Sequence, residues 1–183
     1  MSLEYAERFD TVNMWADINV VYLLLAIISV AGQQRIRQAM AERPVAFLAT
    51  LSTDLQHAGA NQPIVFDRVV TNVGSAYNPH VGVFTAPGSG IYVFSVSLLN
   101  YPGHSTRYIL QKNNDFISNV YLHAPDASHY ESTSQTVVIQ LTKGDDVTLR
   151  NMSPDESLRG DNYCTFAGFL VWEDLSQPAV VGK

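Results

Sequence analysis

The side chains best suited to holding a ligand fall into two clusters. One is polar and aromatic: Asn100, Tyr101, His104, Arg107 and Tyr108, followed by Asn113, Asn114 and Asp115. Amides and carboxylates bond sugar hydroxyls, a ring stacks on the apolar face of a sugar, and an arginine grips an anionic sugar or phosphate as a fork. This composition suits carbohydrate or lipopolysaccharide, although turn-forming segments share it for conformational reasons. The other cluster is acidic: Asp145 and Asp146 at one turn, then Asp155, Glu156 and Asp161 in the next loop. Carboxylates among backbone carbonyls suit calcium, a hard cation that prefers oxygen; a solvated acidic surface is the other reading.

Catalytic patterns are missing. Gly103-His104-Ser105-Thr106-Arg107 approaches a nucleophile elbow but lacks its second glycine. Gly88-Ser89-Gly90 lacks the third glycine of a dinucleotide loop and no helical pattern follows it. His57, His80, His104, His123 and His129 show no His-x-x-x-His spacing, and only His123 and His129 are close enough in sequence to converge. Cys164 lies in an apolar run and reads as a buried thiol; as the single cysteine it excludes an intrachain disulfide and a cysteine-rich zinc site. Asn151-Met152-Ser153 is a glycosylation sequon weakened by Pro154. No nucleophile–base set emerges, so the expectation is a binding protein and not an enzyme.

The elements that position these residues read as strands. Ala46–Ser52, Pro63–Val70, Val81–Thr85, Gly90–Leu99, Tyr108–Lys112, Phe116–His123, Ser134–Leu141, Asp146–Asn151 and Tyr163–Trp172 are rich in Val, Ile, Tyr, Phe and Thr. Turn clusters such as Tyr77-Asn78-Pro79, Ala86-Pro87-Gly88, Asn113-Asn114-Asp115 and Lys143-Gly144-Asp145 separate them. With no amphipathic helix after Met40 to serve as a crossover, the sheets must be antiparallel, in an all-β sandwich or barrel. In Gly90–Leu99, Tyr92, Phe94, Val96 and Leu98 make an apolar row, while the opposite row of Ile91, Val93, Ser95, Ser97 and Leu99 is hardly solvent-like. Thr165–Trp172 behaves alike. Strands apolar on both faces need cover on both, which predicts a homo-oligomer.

Phe66, Asn72, Tyr77, Phe84, Gly90, Tyr92 and Phe94 stand at the intervals of the C1q-type globular-head signature, and the stretch from Phe66 to Val96 resembles it, with Val96 in place of the last aromatic. Pro87 resembles the family's strand-linking turn, Lys143–Leu149 its late turn and strand, and Phe166–Leu170 its closing strand. The resemblance covers 43–174. It implies an antiparallel two-sheet jelly roll, tumour necrosis factor-like, assembled as a homotrimer. Some family members hold calcium through acids around the late turn, to which Asp145 is closest. Large rings at these positions are core fillers and Gly90 enters a strand where a Cβ is ill tolerated, so the signature speaks of scaffold and leaves function to a site.

Composition agrees. The 183 residues, 46% hydrophobic and 15% charged, suffice for one ordinary domain with a core. The 17 acidic and 11 basic side chains give a net charge of −6, and no basic block suited to tracking a phosphate backbone occurs, which argues against a nucleic-acid partner. No Gly-X-Y register encodes a collagen stalk. Ile18–Ala31 is an apolar run too short to span a bilayer. Three readings stand: a signal peptide cleaved after Ala31, at odds with the acidic Glu4, Glu7, Asp10 and Asp17 before it; a trimer-seeding helix with Ile18, Val21, Leu25 and Ile28 on its seam; or an uncleaved anchor. The expected organisation is 1–31 signal peptide or hydrophobic helix, 32–42 linker, 43–174 globular domain and 175–183 tail. The resemblance, without a collagen segment, points to head-only recognition proteins: secreted, extracellular, lectin-like, binding microbial glycans or lipopolysaccharide in innate immunity, with no membrane span in the mature chain. An extracellular signalling ligand for a cell-surface receptor is the alternative.

Overall fold

The computed structural model describes residues 26–33, 44–124 and 128–174. The chain divides into two units, Met1–Glu42 and Arg43–Lys183. In the first, residues 26–33 are helical. Of the seam expected there, Ile28 lies in that helix, while Ile18, Val21 and Leu25 fall outside the described residues, as do most of the linker and the tail beyond Asp174. No described helix is long and apolar enough to cross a membrane.

The second unit is built from β1 (Ala46–Thr50), β2 (Leu55–Ala58), β3 (Arg68–Val73), β4 (Tyr77–Asn78), β5 (Val83–Thr85), β6 (Gly90–Leu99), β7 (Ser105–Lys112), β8 (Asp115–His123), β9 (Ser132–Leu141), β10 (Asp146–Asn151), β11 (Glu156–Leu158) and β12 (Thr165–Glu173). One sheet runs β3-β1-β12-β6-β9 and the other β4-β5-β10-β7-β8, with β11-β2 as a small third ladder. Every strand pairing is antiparallel, as connections made only of turns and loops require. This is the expected two-sheet jelly-roll sandwich.

The core lies between the two large sheets. Tyr92, Phe94, Val96 and Leu98 of β6 are all at most 1% exposed, one strict alternate row. Phe47 stacks on Tyr77 at 4.7 Å and meets Phe166 edge-on at 5.0 Å, and Phe84 meets Phe94 edge-on at 5.1 Å. Mixed stacked and edge contacts of this kind fix ring positions more tightly than area burial alone. The Tyr77 hydroxyl donates to the Phe66 carbonyl at 3.1 Å and accepts the Phe66 amide at 3.2 Å, so its one polar atom is satisfied inside. Burial pushes that phenol well above its ordinary range. Two glycines are set by close approach. A Cβ on Gly168 would stand 2.6 Å from the Phe94 ring, and one on Gly90 would collide with the Trp172 carbonyl oxygen.

Register decides what faces outward. The chain enters β1 at Ala46 and leaves β12 at Glu173 at one end of the sandwich, the near end, where Ala46 pairs with Phe169 and Gly90 with Glu173. The β6–β7 and β10–β11 connections lie at the opposite, far end. Across the outer wall of the first sheet Val73, Ala46, Phe169, Val93 and Val138 follow one another as neighbouring partners. Val138 is 66% exposed and Phe169 49%. Farther along the same wall the row is Thr165, Ser97 and Ser134, so the apolar half belongs to the near end.

Candidate functional site

The far end is tied together by a knot that sequence reading did not anticipate. Asp54, between β1 and β2, accepts the Tyr101 hydroxyl, the Gly160 amide at 2.8 Å and the Arg159 guanidinium at 3.1 Å. These bonds, led by the one from Tyr101, hold the Asp54 carboxyl below the usual carboxylate range. Arg159 also reaches Asp161 at 2.5 Å, and the Tyr101 and Tyr130 rings lie 6.1 Å apart. Beneath, Asn100 is fully buried; its Nδ2 donates to the His104 carbonyl at 2.5 Å and its Oδ1 has no protein partner. Tyr101, His104 and Asp161 are thus parts of one braced loop surface, with His104 exposed on it.

The polar cluster divides along β7. Tyr108 points inward, fully buried, and donates to the Ser157 carbonyl at 3.4 Å. Arg107 points outward and is exposed. Asn113, Asn114 and Asp115 sit at the other end of the strand, roughly 25 Å away by strand rise. There Asn113 takes φ 54°, the left-handed position a tight hairpin needs, and bonds Asp145 at 3.0 Å and the Asp146 amide at 2.9 Å. Asn100, Tyr101, His104 and Arg107 therefore share the far end, with Asn100 buried beneath it and Arg107 on the outer wall of the second sheet. Asn113–Asp115 are apart from them, and Tyr108 belongs to the core.

The acids divide along β10 in the same way. Asp145 and Asp146 are at the near end. Asp145 is already engaged, by Lys112 at 3.0 Å and the Thr142 amide at 2.7 Å; burial raises its pKa, but these partners prevail and hold it low. Asp146 accepts the Thr85 hydroxyl at 2.6 Å. At the far end Asp155 meets His57 at 3.3 Å, both exposed. Glu156 is 7% exposed; one oxygen accepts the Arg107 amide at 3.3 Å, the other has no partner, and burial pushes its pKa up. Among the described residues no three His, Cys, Asp or Glu side chains gather as a metal shell. Cys164 is buried, its pKa pushed up to about 11 by burial. Asn151, the sequon residue, is buried with its amide bonded to Gly59, Gln62 and Ser153, so it presents no free acceptor for a glycan.

Beside Arg107 lies a second group that sequence reading passed over. Arg107 pairs with Tyr121 and Ser105 with His123, all four exposed on the outer wall of the second sheet. The Tyr121 and His123 rings stack at 5.9 Å and 19°, and Ser105 Oγ and Tyr121 Oη reach His123 Nδ1 at 3.1 and 3.3 Å. The alternation of Tyr121 and His123 with buried Val120 and Leu122 was readable. Their meeting with Arg107 was not. A register shift between Leu110 and Gln111 moves the pairing by one, and without it Arg107 would face Val120.

This sandwich is the jelly roll shared by complement heads and tumour necrosis factor-type ligands. The globular domain of zebrafish complement 1qA superposes with TM-score 0.58 at 20% identity, covering 71% of this chain and 99% of that one. The Eiger TNF of S. frugiperda superposes with TM-score 0.57 at 15% identity, covering 75% and 98%. In sequence, complement C1q tumor necrosis factor-related protein 3 of Mus musculus is 33% identical over 135 residues, 72% of this chain and 53% of that protein. A heavy metal-binding protein, HIP, of Mytilus edulis is 31% identical over 131 residues, 69% of this chain and 60% of that protein. The chain spans about half the length of the first of these curated relatives. The C1q domain family model matches residues 46–171, and the chain belongs to the C1q domain family.

Proposed function

We propose that this protein is a secreted, trimeric, non-catalytic recognition module that binds carbohydrate or lipopolysaccharide on microbial surfaces. Members of the family form trimers, and the Val73–Ala46–Phe169–Val93–Val138 row is the kind of exposed apolar wall that sister subunits cover. The observation that carries the reading is the contrast between that wall and the other: the second sheet presents an exposed arginine beside stacked Tyr and His rings, the groups that recognise sugars. Three copies of one weak site on a trimer gain avidity towards a repetitive surface. A glycan array, run with and without a chelator beside sedimentation of the same material, tests it: a trimer that binds glycans and is inhibited by free sugar is expected, and a trimer silent on every glycan refutes it.

The similarity to C1q tumor necrosis factor-related protein 3 and to Eiger TNF favours a second reading, an extracellular ligand for a cell-surface receptor. Saturable binding to host cells with no response to sugar would establish that reading instead. N-terminal sequencing of secreted material would locate the start of the mature chain.

A further inference from the structure

We propose that Arg107, Tyr121, His123 and Ser105, on the outer wall of the second sheet, form a subsite for a carboxylate-bearing sugar of the hexuronate type. This rests on the carbohydrate reading above and gives it a site and a ligand class.

The Arg107 guanidinium makes no hydrogen bond or ion pair with the described residues. Glu156 accepts the Arg107 backbone amide at 3.3 Å from inside the sandwich and makes no ion pair with the guanidinium. The strand is thus anchored through its main chain while the fork is left facing out. A planar guanidinium with free donors suits a carboxylate, which accepts two parallel hydrogen bonds. Directly across the ladder Tyr121, 54% exposed, offers a ring for the apolar face of a pyranose. The stacked His123 ring backs it at 5.9 Å, which leaves no room for a sugar between the rings and restricts stacking to their open faces. With Nδ1 accepting from Ser105 or Tyr121, the ring proton belongs on Nε2, a free donor for a sugar hydroxyl. Met152, 38% exposed, flanks Arg107 through its amide bond to the Arg107 carbonyl at 3.0 Å and supplies an apolar margin. A cation, a ring platform and an imidazole donor on one wall match an acidic monosaccharide better than a neutral one. The apolar wall that a trimer covers belongs to the other sheet.

Titration calorimetry on the full chain tests this with three probes: a glucuronate-containing disaccharide, its neutral glucose counterpart, and glucose 6-phosphate. The uronate is expected to bind more tightly than the other two. Arg107→Ala is expected to weaken it by about tenfold or more, the loss typical of a charge-assisted pair, with Arg107→Lys in between. Tyr121→Ala is expected to weaken both the uronate and the neutral disaccharide. These side chains are exposed, so unchanged melting temperatures confirm that the variants fold. Uronate binding no tighter than neutral binding, or undiminished by Arg107→Ala, overturns the subsite and leaves the lectin reading intact. A preference for the sugar phosphate overturns the ligand class. No binding of any glycan, on the array or in the calorimeter, overturns both.

Discussion

The two outer walls of the sandwich are made by the same kind of alternating strand and yet carry opposite chemistry. On the first sheet the outward row at the near end is Val73, Ala46, Phe169, Val93 and Val138, with Val171 and Trp172 beyond it, both more than half exposed. On the second, the outward row at the far end is Ser105, Arg107, Tyr121 and His123. Both sit above one core, so the difference owes nothing to folding needs. It separates a wall that wants a protein neighbour from a wall that can stay wet and hold a polar ligand.

The comparison can be broken from the inside. Phe166→Ala removes a fully buried ring that touches Phe47, Phe66, Tyr77 and Phe94, and is expected to cost about 3–5 kcal/mol, read by chemical denaturation, with both walls lost together. It can be sharpened from the outside. Phe169→Glu places a charge in the apolar row and is expected to turn trimers into folded monomers in sedimentation, while Tyr121→Glu on the other wall leaves the trimer intact. If both variants remain trimeric, the apolar wall is not the interface.

The smallest effect concerns the carboxylate beneath Arg107. Glu156 has a raised folded pKa, so at neutral pH its ionised form costs stability in the folded state, and that cost fades as pH falls through the folded pKa towards the ordinary 4.5. Glu156→Gln should therefore raise Tm by ~2 °C at pH 7.5, and the gain should vanish near pH 4 in scanning calorimetry. Asp54 and Asp145, held low, run the other way: their contribution is complete above 3.8 and lost as pH drops through their folded values. Acid melting of a Glu156→Gln protein should thus follow the unchanged protein once both are below that point.

The scaffold was largely legible in the chain. Gly90–Leu99 and Asp146–Asn151 have the expected bounds, because strict alternation and flanking turns mark them. Pro63–Val70 was displaced: Pro63 makes only an isolated bridge to Arg150, and the strand proper is Arg68–Val73. Leu55–Ala58, Tyr77–Asn78 and Glu156–Leu158 went unseen, being too short for any period to show. The site was legible only in pieces. Arg107 stood out by type, but Tyr108, one position away, is core, and Asn113–Asp115 belong to a distant hairpin. Tyr121 and His123 reached Arg107 through a one-residue shift that no turn residue announces. Asp54 and Arg159 meet across an interval of 105 residues, where neither composition nor spacing carries a signal.

Ala46 and Glu173 border the same end of the sandwich. A tether, dye or solid support attached through either flank would therefore leave the β6–β7 and β10–β11 loops pointing away from the surface. In a biosensor, the domain would stand upright with its most braced surface turned to the analyte, and coupling through Lys112 or Lys143, which lie at the same end as Asp145, would keep that orientation.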